Sequence, residues 1–289
     1  MAIDVYQIVT DRIIELLERG TIPWRKNWSA GSGMPRNMVS KKEYRGVNIF
    51  ILSSSNYSSP YWLTYKQATD LGGHVKKGEK STPVIFWKML DKHDQEDDAK
   101  TTGRIPMLRQ YHLFSAEQCE NVPIPPDPEE TVNPFTPIER AEQIIKGYKN
   151  PPSIHYGGNR AFYRPSEDRV QMPHEHTFNT SEDFYAVLAH ELSHSTGAKH
   201  RLARKEVMER NEFGSEDYSS EEICAELSAS MLCAVAGISN ETIEMSASYI
   251  KGWLSVLRQD KKAIIIASAR AQASADHILG KTFTEEASE

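Results

Sequence analysis

Residues 190–200 read HELSHSTGAKH, which sets His190 and His194 four apart around Glu191. On a helix that spacing places both imidazoles on one face, where they can share one metal ion. Glu191 follows the first histidine directly, in position to take a proton from water that such a metal acidifies. The helix is legible from its flanks. Thr180-Ser181-Glu182-Asp183 is a T-x-x-D start with acidic residues in the positive first turn. Phe184, Val187, Leu188 and Leu192 supply an apolar side, and Gly197 suits the stop.

A zinc site with catalytic water normally has three protein ligands. Glu226 is the preferred third, with His190 and His194. It lies in SSEEICAELSASMLCAVAGI, which predicts a second helix starting near Ser219 or Ser220 and closing at Gly237. Glu226 shares a face there with Ile223, Ala229, Ser230 and Cys233, and a carboxylate on such a face needs a partner. A buried salt bridge to an arginine of the RLAR segment is the alternative for it. Glu222, one turn earlier, is expected to orient a histidine from behind. His200 remains a rival third ligand, because HExxHxxGxxH also fits literally. It sits in the basic stretch AKHRLARK, which is expected on the surface.

A chain of 289 residues suggests two domains. The proline- and acid-rich run NVPIPPDPEETVNPF predicts an extended linker. That places an N-terminal domain at 1–125, the linker at 126–135 and a second domain at 136–289. TPVIFWKML and RIPMLRQYHLF predict a hairpin with a long acidic tip at 91–103. IERAEQIIKGYK opens the second domain as a helix, HYGGNRAFYRPSEDRVQMP predicts a small sheet, and the C-terminal stretch predicts two helices broken near Gln259–Lys262. The expected class is α+β: a small N-terminal α+β domain, then a mainly helical domain with a small sheet. Three cysteines make no disulfide framework, Cys224 and Cys233 read as buried thiols, and no apolar run suggests a membrane span. The protein is expected in the cytoplasm.

The net charge of −6 conceals an asymmetry. Residues 1–90 carry 13 Lys and Arg against 7 Asp and Glu, whereas the remainder carries 21 against 33. Aromatics interleave with these cations in IPWRKNW, KKEYRGVN, YWLTYKQ and GGHVKKGEK. Single-stranded nucleic acid is held by such chemistry, cations tracking phosphates while ring faces stack on bases. The candidate contacts are Trp24, Arg25, Lys26, Tyr44, Arg45, Asn48, Trp62, Tyr65, Lys66, Lys76, Lys77 and Lys80. The competing reading makes the aromatics core and the lysines a solvated face.

The motifs W-R-K-x-W, Y-R-G-x-N, Y-W-L-T-Y-K-Q-A and V-x-K-G-E-K, followed by H-E-L-S-H-S-T-G and E-E-I-C-A-E-L, resemble those of the ArdC-type antirestriction proteins of conjugative plasmids. The resemblance runs over nearly the whole chain. It implies an N-terminal single-stranded-DNA-binding domain, a C-terminal zincin-like metallopeptidase domain and protection of incoming plasmid DNA from restriction. Carried over by motif, His190, His194 and Glu226 match metal positions and Glu191 the catalytic one. Ser195 departs from the tryptophan common after the second histidine, a packing position. Zn2+ is the expected metal, with Mn2+ or Co2+ as substitutes, acting on a protein substrate that the motifs do not identify. Two further readings stand beside this one: a single-stranded-DNA-coating protein with a non-hydrolytic metal, and a peptidase whose N-terminal domain recognises an acidic protein.

Overall fold

The computed structural model describes residues 4–24, 34–55, 57–91, 104–125, 136–208, 216–238 and 247–282. Helix α1 (Val5–Glu18) starts where the Asp4 carboxylate accepts the backbone N–H groups of Tyr6 and Gln7, and stops before Gly20, whose φ is +77°. It buries Val9, Ile13, Leu16 and Leu17 along one stripe. Next come β1 (Arg36–Asn37), α2 (Val47–Ser53), β2 (Tyr61–Leu63), α3 (Tyr65–Asp70), β3 (His74–Val75), β4 (Thr82–Asp91), β5 (Arg104–Ser115) and β6 (Cys119–Glu120). The main sheet has the order β1-β2-β5-β4, with β1 parallel to β2 and the other pairs antiparallel. The expected hairpin is present, in register from Thr82↔Leu113 to Asp91↔Arg104. β3 and β6 form a separate ribbon. Every residue of α2 is buried, because one side meets β4 and another meets the last helix.

The second half begins with α4 (Pro137–Gly147), which opens on a capping box between Thr136 and Glu139. Strands β7 (Ser153–Tyr156), β8 (Phe162–Arg164) and β9 (Arg169–Met172) make a sheet of order β7-β9-β8, with β7 parallel to β9. Then follow α5 (Ser181–Ser195), α6 (Lys205–Met208), α7 (Glu216–Ala236), α8 (Ala247–Gln259) and α9 (Ala263–Ile278). Thr180 caps α5 by accepting the Asp183 N–H at 3.1 Å. Gly197 serves that helix end for a different reason from the expected left-handed stop. A Cβ there would lie 2.4 Å from Val207 Cγ2, so the close approach of α6 requires glycine. α7 begins three or four residues before the expected start and ends at Gly237, φ +76°. It packs against α4, α5, α8 and α9, which explains why its apolar residues run around the helix.

One core joins the two halves. Trp24, with no exposed surface, meets Phe50 and Trp253 edge-on at 6.3 and 5.2 Å between ring centroids. Burying about 200 Å² of indole at ~25 cal/mol/Å² stabilises this junction by about 5 kcal/mol. Arg45 pairs with Asp276 on α9, and the Gly46 N–H donates to Gln272 Oε1 at 3.0 Å. Thr10 Oγ1 donates to the Lys261 carbonyl at 2.7 Å. The predicted linker, 126–135, lies outside the described residues.

Candidate functional site

Helices α5 and α7 lie side by side, and their facing residues build a cluster of imidazoles and carboxylates. His190 and His194 bring their Nε2 atoms to 3.1 Å of each other. The Glu222 carboxylate sits across from them, Oε2 at 3.5 Å from His190 Nε2 and Oε1 at 3.6 Å from His194 Nε2. Behind the histidines lie two more carboxylates. Glu226 Oε2 is 3.4 Å from His190 Nδ1, and Glu221 Oε1 is 3.1 Å from His194 Nδ1. A carboxylate accepts, so each Nδ1 can donate to the glutamate behind it, and a cation at the shared point would take the place of protons on the Nε2 atoms. Arg204 holds Glu221 from the far side through two bonds, at 2.9 and 2.6 Å, and donates to the Thr196 hydroxyl and the Ser193 carbonyl near the end of α5.

This donor set fits a divalent cation. Tetrahedral bonds of about 2.0–2.1 Å set neighbouring ligand atoms about 3.3 Å apart, close to the spacings among His190, His194 and Glu222, which form one metal-sized group. Charge agrees. Glu191, Glu221 and Glu226 are buried and the Glu222 side chain is 12% exposed, while Arg204 is committed to Glu221. Burial pushes the Glu222 carboxyl up, yet the two imidazoles beside it hold it at about 2. Burial likewise opposes a charged His190, but Glu222 and Glu226 raise its pKa well above the ordinary 6.5. The pocket draws positive charge to this point.

The two glutamates stand differently from expectation. Glu222, expected behind a histidine, faces both Nε2 atoms; Glu226, expected as ligand, faces the back of His190. The anticipated salt bridge to the RLAR segment exists, but Glu221 makes it. Sequence reasoning missed Glu221; its signal was the Glu221-Glu222 pair, which directs two carboxylates to adjoining sides of one helix. His200 is exposed and meets Asp168 at 3.3 Å, away from the cluster. Ser195 is buried as expected, its Oγ 3.1 Å from the Tyr148 hydroxyl.

The N-terminal candidates divide by burial. Trp24, Tyr44, Asn48 and Trp62 are 0, 5, 4 and 2% exposed, so they build the core rather than a stacking face. Tyr44 accepts from Asn37 Nδ2 at 3.2 Å, and burial pushes its hydroxyl up to about 12. Arg45 is the bridge to α9 already described. Tyr65 is 61% exposed, and Lys66, Lys76, Lys77 and Lys80 are exposed. Arg25 and Lys26 lie outside the described residues. KKEYRGVN also holds two cations outside that candidate set, Lys41 and Lys42, both exposed, with Lys41 Nζ 5.0 Å from the Tyr61 ring centroid. Asn37, four residues before Lys41, donates to Gln67 of α3 at 3.3 Å, which holds the two segments together. Among the described residues no helix is long and apolar enough to cross a membrane.

Comparison with known proteins follows this division. Residues 3–114 match the N-terminal domain of the anti-restriction factor ArdC, and residues 139–270 match a zincin-like metallopeptidase family, MPTase-PolyVal. An uncharacterized protein of Sinorhizobium fredii, y4eC, is 38% identical over 94% of this chain and 91% of its own. DNA primase TraC of Escherichia coli is 34% identical over 95% of this chain, which spans only 20% of that primase's length. The metal-free crystal structure of antirestriction ArdC protein from the R388 plasmid matches with a TM-score of 0.77 at 34% identity, covering 96% of this chain and 97% of that one. Its Mn(II)-bound structure matches with the same TM-score. With an ArdC N-terminal domain followed by a zincin-like metallopeptidase domain, the chain belongs to the ArdC family of antirestriction proteins.

Proposed function

We propose that this antirestriction protein binds single-stranded DNA through its N-terminal half and hydrolyses a peptide bond at the α5–α7 cluster. The observation that carries the reading is the convergence of His190 and His194 Nε2 on the Glu222 carboxylate, with Glu191 on the same helix. His190, His194 and Glu222 are the proposed ligands, and Zn2+ suits that nitrogen and oxygen set. Mn2+ or Co2+ would serve as substitutes, in keeping with the Mn(II)-bound relative. The cation, when bound, supplies Lewis acidity that acidifies water and polarises a carbonyl. Glu191 takes the proton of the attacking water as its oxygen bonds to the carbonyl carbon, then returns it to the leaving amine as the C–N bond breaks. Glu221 and Glu226 fix both imidazoles in the tautomer that leaves Nε2 free.

For DNA, the support is an exposed Tyr65 beside Lys66, with Lys41 and Lys42 also exposed on a segment that Asn37 ties to Gln67 of α3. Losing one stacked base costs about 1–3 kcal/mol, so Tyr65→Ala should weaken single-strand binding by roughly fivefold to a hundredfold. The full chain, titrated against labelled single-stranded and duplex DNA across salt, should show a log–log slope of about −0.7 per phosphate contact. Glu191→Ala, assayed for peptide hydrolysis and for protection of entering plasmid DNA, separates the two halves. Loss of hydrolysis with protection intact would leave a DNA-coating protein. Hydrolysis unaffected by that change would remove Glu191 from the mechanism.

A further inference from the structure

Two turns before Glu191, Phe184 forms part of the wall of an open cleft of about 670 Å³. That volume is in the range of small-ligand pockets. Its content is a file of rings. Phe184 lies 6.4 Å from Tyr156 at 28°, Tyr156 lies 6.5 Å from His174 at 21°, and His174 lies 5.5 Å from His176 at 14°. Tyr156 is 54% exposed, and both histidines are exposed. Near-parallel rings open to water offer their faces to something planar.

The charge around them selects which planar group. No lysine or arginine lines the cleft, and the Glu175 carboxylate stands in its wall, its Oε1 accepting the Ser181 hydroxyl at 2.7 Å. The positive end of α5 also faces this space, but Glu182 and Asp183 occupy its first turn and offset it. A phosphate meets carboxylates here. A guanidinium fits on three counts: it stacks on ring faces, pairs with a carboxylate and lays its methylene stem along apolar surface.

Position gives the cleft a relation to the cluster. Phe184 and Glu191 are seven residues apart, hence on one face and about 10 Å apart along the helix. An extended peptide covers that distance in about three residues. Tyr156 also ends β7, which pairs with β9 alone among the described strands, so one edge of β7 can take an added strand.

We infer that this cleft is a specificity subsite for an arginine side chain of a polypeptide substrate, about three residues from the bond presented to Glu191. The inference rests on the peptidase reading, so its test must separate the two. The full chain carrying Glu191→Gln, loaded with Zn2+, is titrated calorimetrically with hexapeptides that differ at one position: arginine, lysine, phenylalanine or alanine. Arginine should bind about tenfold more tightly than the others. Tyr156→Ala and Glu175→Gln should each remove that margin without changing bound zinc or the melting temperature. Phenylalanine binding as well as arginine, or a margin that survives both substitutions, overturns the subsite. So does single-stranded DNA affinity that falls with Tyr156→Ala, which would make the ring file a base-stacking platform. Cleavage of a mixed peptide pool by the unmodified chain is read in parallel. Cleavage without an arginine margin removes the subsite and keeps the peptidase; a margin without cleavage does the reverse.

Discussion

Asn48 provides the sharpest test of how the N-terminal motifs are used. β4 is an edge strand of the main sheet, so the backbone groups of Ile85 that point away from β5 need partners. Asn48, from α2, supplies both: its Nδ2 donates to the Ile85 carbonyl at 2.7 Å and its Oδ1 accepts the Ile85 N–H at 2.9 Å. One side chain thus stands in for a missing strand at that position, and it is 4% exposed. Asn48→Ala removes two hydrogen bonds and strands two buried backbone groups, each costing about 1–3 kcal/mol. With partial relaxation the total comes to about 3 kcal/mol, which for a chain of this size lowers the melting temperature by roughly 6–12 °C. Urea and thermal unfolding, followed by tryptophan fluorescence, measure it. Single-strand affinity, measured well below the transition, should be unchanged. A variant that melts with the parent but binds DNA more weakly would refute the structural role and return Asn48 to the DNA face.

Four further outcomes are expected. Glu222→Gln should abolish tight zinc binding in equilibrium dialysis, whereas Glu226→Gln should weaken it by about 10- to 100-fold, the range for groups that orient a ligand; equal losses would undo the assignment. Glu221→Gln leaves the buried Arg204 guanidinium uncompensated and should destabilise the fold by about 3–5 kcal/mol in denaturant titration, more than any loss of metal alone explains. The Arg45–Asp276 bridge is partly exposed, 36% and 12% at its side chains, so a double-mutant cycle should return only about 1 kcal/mol. Burial pushes the Asp168 carboxyl up, but the Arg201 guanidinium and Tyr163 hydroxyl bonded to it hold it below the ordinary 3.8. A depressed folded value means its contribution is full above 3.8 and is lost as pH falls below it. Asp168→Asn should flatten that acid limb in urea midpoints taken against pH.

What the sequence disclosed and what it withheld follow one physical line. Local signals were sufficient where the neighbours in sequence are the neighbours in space. Thr180 caps the helix that follows it, Gly237 adopts the positive φ that ends the helix before it, and the β4–β5 hairpin pairs as expected. The interleaved aromatics failed as a surface signal because composition does not say which side of a residue faces water. Trp62 and Tyr65 are three apart, yet one is in a central sheet position and the other begins an exposed helix. Trp24 needed knowledge of Trp253, 229 positions away, to be read as core.

The placement of Glu222 and Glu226 shows the limit at the site itself. Residues four apart on a helix share a face, so both glutamates turn toward α5, and burial cost alone favours whichever has the more apolar neighbours. That criterion selected Glu226, which is indeed the more buried at 6% against 12% for the side chains. Depth alone does not say which carboxylate meets Nε2. A ligand must reach the Nε2 side of the imidazoles, and Nε2 points to the open end of the cluster because the Nδ1 atoms are taken from behind by Glu221 and Glu226. On the assignment proposed above, the deeper carboxylate orients, and the shallower faces the metal-sized gap. The choice between them is set by the axial register of α7 against α5. That register is fixed by packing across the pair, from Ser193 Oγ on Ser228 Oγ at 2.9 Å to the Arg204 clamp on Glu221, contacts that no spacing within either helix encodes.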